Sequence, residues 1–423
     1  IEGAYILTRE RLLVSSPRGM IVFGHGTCFM DTVLVQCLGY GSRRVPLNEV
    51  FKESSIHTVC LSLDIQKLGE VVVTGERAGA SPNVVSRRLS SPEIRNALGT
   101  SLATLLERVS GVSSISTGTT VSKPVIQGMY GNRILIIHNG ARQTGQQWGA
   151  DHAPEVDMNG SSSVSVIKGS DAVRYGSDAL GGIIVMEQSP LPFRKRSLQG
   201  GISALYGSNG RRYVATGQLE GAFPGDFAWR LQGTWSNSGD RSTAHYLLNN
   251  TGTREYHAST SLGYDRGRLR VEGFYSRFYS RTGVMLSAQM GSEDLLAERI
   301  RLGRPLHTDP FSRGIRAPCQ EVTHQIAFGR MRLGMKKGGS IHWQSTWQKD
   351  DRQENRVRRL DSNIPAVSLY LNSFQHLLRW KRDYRSWQVE AGGQVIFIEN
   401  HSRAGTGFVP VISNQKMNDY LKE

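Results

Sequence analysis

The chain of 423 residues is poor in cysteine and proline and has no long apolar run, and these shortages remove whole classes of protein. Its four cysteines, Cys28, Cys37, Cys60 and Cys319, show no CxxC spacing, and Cys319 lies far from the others, so no zinc site is implied. Cys28, Cys37 and Cys60 stand in apolar surroundings and are expected to be small buried hydrophobes. The longest apolar stretches are pieces such as Ile134-Leu135-Ile136-Ile137, too short for a membrane-spanning helix. A membrane protein without such helices must be a closed barrel, the other arrangement that satisfies every backbone polar group in lipid. Residue 1 is Ile, and no basic, apolar and small-residue leader pattern is found, so the chain is expected to be mature or a fragment. No nucleophile and base motif or metal-binding pair accompanies any segment, which leaves no enzymatic reading.

Acidic residues are also in short supply: 36 Asp and Glu face 51 Lys and Arg, a formal charge of +15. Such a balance admits nucleic acid or an anionic membrane surface as partner. The cations are scattered among aromatic segments and loops, apart from short clusters such as Arg356-Val357-Arg358-Arg359. That scatter fits phosphate-rich lipid headgroups and argues against nucleic acid.

What is present is glycine, 47 residues of it, with 7 Trp, 14 Tyr and 13 Phe, which fits a chain of many strands and turns. The length calls for two or three domains. Residues 1–67 alternate short apolar runs with turn residues, at 19–24, 32–35 and 58–61, and predict a small β-sandwich. Residues 68–192 mix one amphipathic helix over 100–109, carrying Leu102, Leu105 and Leu106 on one face, with strands over 133–137, 164–167 and 182–186. Asn-Gly and Gly-Ser turns separate them.

Residues 193–423 change to segments of about ten residues with period-2 alternation, the repeated signature of transmembrane β-strands. Phe227, Trp229, Leu231 and Trp235 alternate with Arg230, Gln232, Thr234 and Ser236. Ile341, Trp343 and Trp347 alternate with His342, Gln344, Thr346 and Gln348. The same pattern sets Leu269, Val271 and Tyr275 against Arg268, Arg270 and Glu272. A half-buried soluble sheet alternates in the same way. The spacing favours the membrane, because short links at 209–210 and 224–226 alternate with long polar segments near 240–253, 281–318 and 352–364. These match short periplasmic turns and long external loops.

At 68–192 four motifs occur in order. They are Leu68-Gly69-Glu70-Val71-Val72-Val73-Thr74-Gly75, then Val109-Ser110-Gly111-Val112, then Ile126-Gln127-Gly128 with Asn139-Gly140-Ala141-Arg142, and finally Val166-Ile167-Lys168-Gly169 with Tyr175-Gly176-Ser177-Asp178-Ala179-Leu180-Gly181-Gly182. In this order they resemble the plug domain of TonB-dependent receptors. Ser110 and Ser170 stand where that family usually has Pro, Gln127 where Arg is common, and Val185 where Asn is frequent. Residues 1–67 resemble a shortened carboxypeptidase-regulatory-like domain of Bacteroidetes-type receptors.

The resemblance implies a mainly β protein: a small sandwich, an α+β plug, and the antiparallel strands of a transmembrane barrel of about 22 strands. The residues after 198 suffice for roughly nine strands, so an incomplete barrel is expected. It further implies active uptake across the outer membrane of a Gram-negative bacterium, with periplasmic TonB, outer-membrane lipid and lipopolysaccharide, and an iron chelate such as a siderophore or haem complex as partners. Glu70, Val71, Val72, Val73 and Thr74 would be the segment that TonB engages, since a β-branched run can add as a strand to a partner sheet. The same run would alternatively be the first internal strand of the plug. Gln146, Gln147, Trp148, Asp151 and His152 lie in a segment similar to a plug loop of iron-complex receptors, and are the substrate-side candidates. Asp151, His152, Glu155 and Asp157 match no standard metal-ligand spacing, so neither a metal nor a cofactor is expected. His324, His342 and His376 fall on barrel segments, where haem ligation stands beside ordinary lumen or loop roles. The competing reading is a truncated, non-transporting remnant or a periplasmic binding module.

Overall fold

In the computed structural model the described residues are 4–7, 12–16, 18–22, 32–37, 40–46, 58–62, 87–117, 121–145, 152–169, 172, 175, 177–193, 198–285, 293–305, 308–336, 338–356, 365–384, 387–402 and 415–418. They belong to two compact units, 1–72 and 73–423.

The first unit holds one antiparallel sheet of β1 (Tyr5–Leu7), β2 (Leu12–Val14), β3 (Thr32–Cys37) and β4 (Tyr40–Pro46), in the order β2-β1-β3-β4. Ile6, Val33, Val35 and Val45 form its core, covered by Leu13, Ile21, Val59 and Leu61. The strands expected over 19–24 and 58–61 are absent from their described residues, 19–22 and 58–61. Their apolar side chains still cover the sheet, so burial is achieved without a backbone ladder. Cys60 is exposed and Cys37 half-buried, which corrects the expectation that both are buried.

The second unit begins with an α+β domain. Its strands are β5 (Arg87–Ser90), β6 (Val112–Thr117), β7 (Val121–Ile126), β8 (Ile134–His138), β9 (Ala141–Arg142), β10 (Ser163–Ile167) and β11 (Gly182–Glu187), with helices α1 (Ser91–Arg95) and α2 (Leu102–Leu106). The main sheet has the order β5-β10-β11-β8-β9, with β11 and β8 parallel, and β6 and β7 form a separate hairpin. All five residues of β8 are buried, which explains its unbroken apolar run. One core gathers Leu89, Ile94, Leu105, Leu106, Ile126, Ile136, Val164, Val166, Ile184 and Met186. Each such buried side chain contributes about 1.5–3 kcal/mol.

Helix α2 is shorter than the expected 100–109. Ser101 caps it by accepting a hydrogen bond from the Thr104 amide at 3.1 Å, and the chain then turns, with the Val109 amide bonded to the Leu106 carbonyl. The Gly181-Gly182 pair is required by close packing. A Cβ at Gly181 would lie 2.8 Å from Met129 Cβ, and one at Gly182, whose φ is +136°, would lie 2.8 Å from the Ile167 carbonyl oxygen.

The remaining chain builds a wall of ten antiparallel strands, nearly all joined to their sequence neighbours: β12 (Gln199–Gly207), β13 (Arg212–Phe223), β14 (Phe227–Ser238), β17 (Thr253–Arg266), β18 (Leu269–Gly283), β19 (Cys319–Gly334), β20 (Ser340–Asn355), β21 (Val367–Asp383), β22 (Gln388–Ser402) and β23 (Gln415–Asn418). A small ribbon of β15 (Arg241–Ser242) and β16 (Leu247–Leu248) lies between β14 and β17. Burial in the wall runs opposite to that of a water-soluble sheet. On β14, Ala228, Arg230, Gln232, Thr234, Ser236 and Ser238 are buried, while Leu231 and Trp235 are 51% and 40% exposed. On β20 and β21, Gln348, Asp350, Arg352 and Ser373 are buried, while Trp343, Phe374 and Leu378 are exposed. An apolar outside and a polar inside is the arrangement of a strand that meets lipid on one face. Among the described residues no helix is long and apolar enough to cross a membrane.

The strand register corrects one expectation. Links 208–211 and 224–226 bound the same strand, β13, and so lie at opposite ends of the wall. The first belongs to the end that carries the long segments: the Gly239 amide bonds to the Gly210 carbonyl, and Asn209 Nδ2 donates to the Ser242 carbonyl. These long segments are stitched together. Asn250 Nδ2 donates to the Val284, Arg316 and Pro318 carbonyls, while Asp240 accepts from the Ser312 amide. The segment between β18 and β19 also contains helix α3 (Glu293–Leu302), which the sequence reading did not foresee.

Candidate functional site

The α+β domain meets the wall through a polar segment that leaves β9. The Arg142 carbonyl accepts from Gln348 Nε2 at 2.7 Å and from Gln375 Nε2 at 2.9 Å. The next two residues continue the docking. The Thr144 amide donates to Gln348 Oε1 at 3.1 Å, and Thr144 Oγ1 lies 3.1 Å from Ser373 Oγ. Gly145, with φ +80°, brings the backbone so close to Asp350 that a Cβ there would lie 2.4 Å from Oδ2.

Past this point the segment returns to the wall with charge. Glu155 is buried and pairs with Arg352 of β20, while its other oxygen lies 3.3 Å from His324 Nδ1 of β19. Gln143 Nε2 donates to the Glu155 carbonyl at 2.8 Å and so ties the two ends of the segment. His152 Nε2 lies 2.5 Å from Glu354 Oε1, and Arg352 Nη1 is 3.7 Å from the same carboxylate. The result is a continuous chain of polar contacts, His324, Glu155, Arg352, Glu354 and His152, of which Glu155 and His152 belong to the inner segment. Burial raises the pKa of the Glu155 carboxyl, but the Arg352 guanidinium and His324 outweigh it and hold the group below the ordinary value. Asp157 forms a second anchor, accepting from Gln232 Nε2 at 2.9 Å and Thr234 Oγ1 at 2.7 Å on β14.

Between these anchors is a small cavity lined by His138, Asp157, Gln188, Gln232, His257 and His324, among others. The His138 ring meets Phe274 edge-on at 5.6 Å. Burial lowers its pKa to about 4, against the opposing pull of Asp157, so the ring is neutral at physiological pH.

The sequence-derived candidates fare differently. Glu70, Val71, Val72, Val73 and Thr74, and likewise Gln146, Gln147, Trp148 and Asp151, lie outside the described residues. His152 is described and faces Glu354 inside the interface. His324, His342 and His376 do not converge: His324 is buried against Glu155, His342 is within reach of Ser340 at 2.8 Å, and His376 is on the exposed face beside Ser345. No cluster of three or more metal-ligating side chains occurs among the described residues. Sequence reasoning missed Arg352, Gln348, Gln375 and Glu354 as partners. Alternation puts Gln348 on the polar face, but Arg352 and Glu354 fall in the segment expected as an external loop near 352–364, whereas β20 runs on to Asn355; nothing in the pattern shows which residue they meet some 200 positions away.

This arrangement holds a segment in place by charge-assisted hydrogen bonds in a water-poor setting. Removing either partner leaves an uncompensated buried charge. The contacts are polar, so each group can be rehydrated if the segment moves.

Comparison with known proteins places these features. Residues 78–183 match the family model described as the TonB-dependent receptor plug domain. The vitamin B12 transporter BtuB of Photobacterium profundum is 32% identical over 85 residues, 20% of this chain and 14% of that protein. The siderophore receptor PirA from Acinetobacter baumannii shares the fold with a TM-score of 0.57 at 12% identity, over 74% of this chain and 48% of that one. The copper transporter OprC gives a TM-score of 0.59 at 16% identity, over 75% and 47%. The chain thus spans about half the length of the solved structures it matches.

Proposed function

Because this chain carries the plug domain of a TonB-dependent receptor ahead of antiparallel barrel strands of the same fold, we propose that it belongs to an outer-membrane transporter that takes up an iron complex. The observation that carries this reading is the polar contact between the segment at 142–157 and the wall. Beside a small apolar contact of Ala141 with Phe274, Ile326 and Phe328, the segment is held by groups that water can reclaim, as a domain that must move requires. Periplasmic TonB would pair with Glu70, Val71, Val72, Val73 and Thr74 by strand addition, and pulling on them would free the segment. Energy then comes from the inner membrane, and no chemistry is asked of this chain.

A siderophore or haem complex is the proposed cargo, with Gln146, Gln147, Trp148 and Asp151 at the substrate side. His152, directed at Glu354, would couple that loop to the wall. Support for iron comes from the likeness to a siderophore receptor, while other relatives are named for vitamin B12 and for copper. The test is uptake by cells carrying the whole receptor, with labelled ferric siderophore, haem, cobalamin and copper offered in turn. Uptake of an iron complex that stops when residues 70–74 are replaced by a Gly-Ser stretch is expected. Uptake of cobalamin or copper alone would overturn the cargo, and uptake indifferent to 70–74 would overturn the coupling.

A further inference from the structure

The inner face of the wall changes character along the strands. The plug segment follows β20, from the Gly140 carbonyl, which accepts from Gln344 Nε2 at 3.2 Å, up to His152 at Glu354. The next inward position beyond Gln344, toward the short links, is His342. Direct pairing across β18, β19, β20 and β21 sets Arg270, Arg332, His342 and Arg379 side by side on this rung. The row crosses three inter-strand spacings, about 14 Å.

Folding alone disfavours such a row. Arg270 and Arg332 are direct cross-strand partners, and like charges so placed repel. The carboxylates nearby are engaged by other cations. Glu272 lies 2.6 Å from Arg270 Nη2 and also pairs with Arg330, while Asp265 is 3.9 Å from Arg270 Nη1. Glu390 is 3.5 Å from Arg379 Nη1 and stands directly opposite Lys381. Arg332 differs from its neighbours: it is exposed and makes no ion pair among the described residues. On this rung and the inward rungs beside it, the strand residues Arg270, Arg330, Arg332, Arg379 and Lys381 face Asp265, Glu272 and Glu390, so the positive surplus sits at Arg332. Guanidinium groups hold carboxylates and other oxyanions through paired N–H donors, and a surface of one sign concentrates ligands of the other.

We propose that Arg332, flanked by Arg270, His342 and Arg379, is an anion seat at the short-link end of the inner face, and that it takes a cargo chelate of net negative charge. The proposal rests on the transport reading above and adds to it the charge of the cargo and the strands along which it leaves. Release of the plug segment would open a strip of β20 from Glu354 down to His342, with the seat at its far end. A bound anion would relieve the repulsion between Arg270 and Arg332.

The test offers two labelled probes to cells carrying the whole receptor, an anionic ferric tris-catecholate and a neutral ferric trihydroxamate, and reads surface binding and uptake separately. Haem, itself an anionic chelate, replaces the tris-catecholate where the receptor refuses it. Arg332→Gln is expected to lower the maximal uptake rate of the anionic probe by on the order of tenfold, with surface binding unchanged. Arg332→Lys keeps most of the rate. Equal loss for both probes, no loss for the anionic one, or uptake of the neutral probe alone overturns the seat and leaves the iron reading standing. Refusal of both probes and of haem overturns the iron reading itself. The seat is then decided on the purified receptor, by equilibrium dialysis against labelled ferric citrate. Binding that Arg332→Gln weakens about tenfold keeps the seat; binding indifferent to the substitution, or matched by inorganic phosphate, overturns it.

Discussion

Strand β8 of the plug and strand β20 of the wall sit in the same unit and bury their residues by opposite rules. β8 buries Ile134, Leu135, Ile136 and Ile137 against other apolar side chains. β20 buries Gln348, Asp350 and Arg352 and turns Trp343 outward. The difference teaches that alternation reports a two-faced surface and nothing more; the solvent on each face decides which half is inside. The plug is a small fold with an ordinary apolar core. The wall has that order inverted, and its inner polar face meets the plug through contacts such as Gln348 with the Arg142 carbonyl and Arg352 with Glu155.

The comparison breaks most sharply where the two regions meet. Arg352→Ala leaves the buried Glu155 carboxylate without its cation and is expected to cost about 3–5 kcal/mol in plug attachment. Urea titration of the folded receptor, followed by amide exchange within 142–157, reads that loss. Protection unchanged by the substitution would show that the latch is not where the domain is held. Within the plug, Leu105→Ala is expected to destabilise by about 2–5 kcal/mol through lost burial and a cavity, seen as an earlier unfolding of the plug alone. On the wall the sensitive change is the reverse: Leu231→Arg puts a charge on the lipid face and is expected to cost about 2–4 kcal/mol near mid-membrane. Refolding yield into vesicles measures it. Tolerance there would mean that this face meets water.

Two smaller effects belong to the plug. His138 is held neutral by burial, with a pKa of about 4 against an ordinary value near 6.5. The unfolded chain therefore binds more protons between these values, and plug stability falls with pH, by about 2 kcal/mol from neutral to about pH 5. Thermal melts across that range, with His138→Gln as the flat control, check the slope. Least of all, Ser101→Ala removes the cap on α2 and is expected to lower the plug's stability by about 1 kcal/mol.

Much of this was legible beforehand. The outward residues of β14, β18 and β20 are those the alternation picked, and β8, β10 and β11 lie within a residue or so of their apolar runs. Other features were hidden for identifiable reasons. Link 208–211 is as short as 224–226, so length could not tell the two ends of the wall apart; only counting strands does. Runs at 20–22 and 58–61 look like strands because covering a sheet demands the same side chains as forming one. Helix α3 lies inside a segment read as a long polar loop, and none of its residues is buried, so its apolar positions Leu295, Leu296, Ile300 and Leu302 do not report a core.

The sequence by itself determined the strands of the plug core, the outward face of wall strands such as β14, β18 and β20, and the plug motifs in their order, because these depend on neighbours within a few residues. The tertiary structure alone decided that Glu155 meets Arg352 and His324, that His152 meets Glu354, and that Arg270 stands opposite Arg332. The plug pairs join residues far apart in the chain, and the arginine pair depends on strand register. Periodicity carries no information about partners, so only closing the chain on itself brings these charges together.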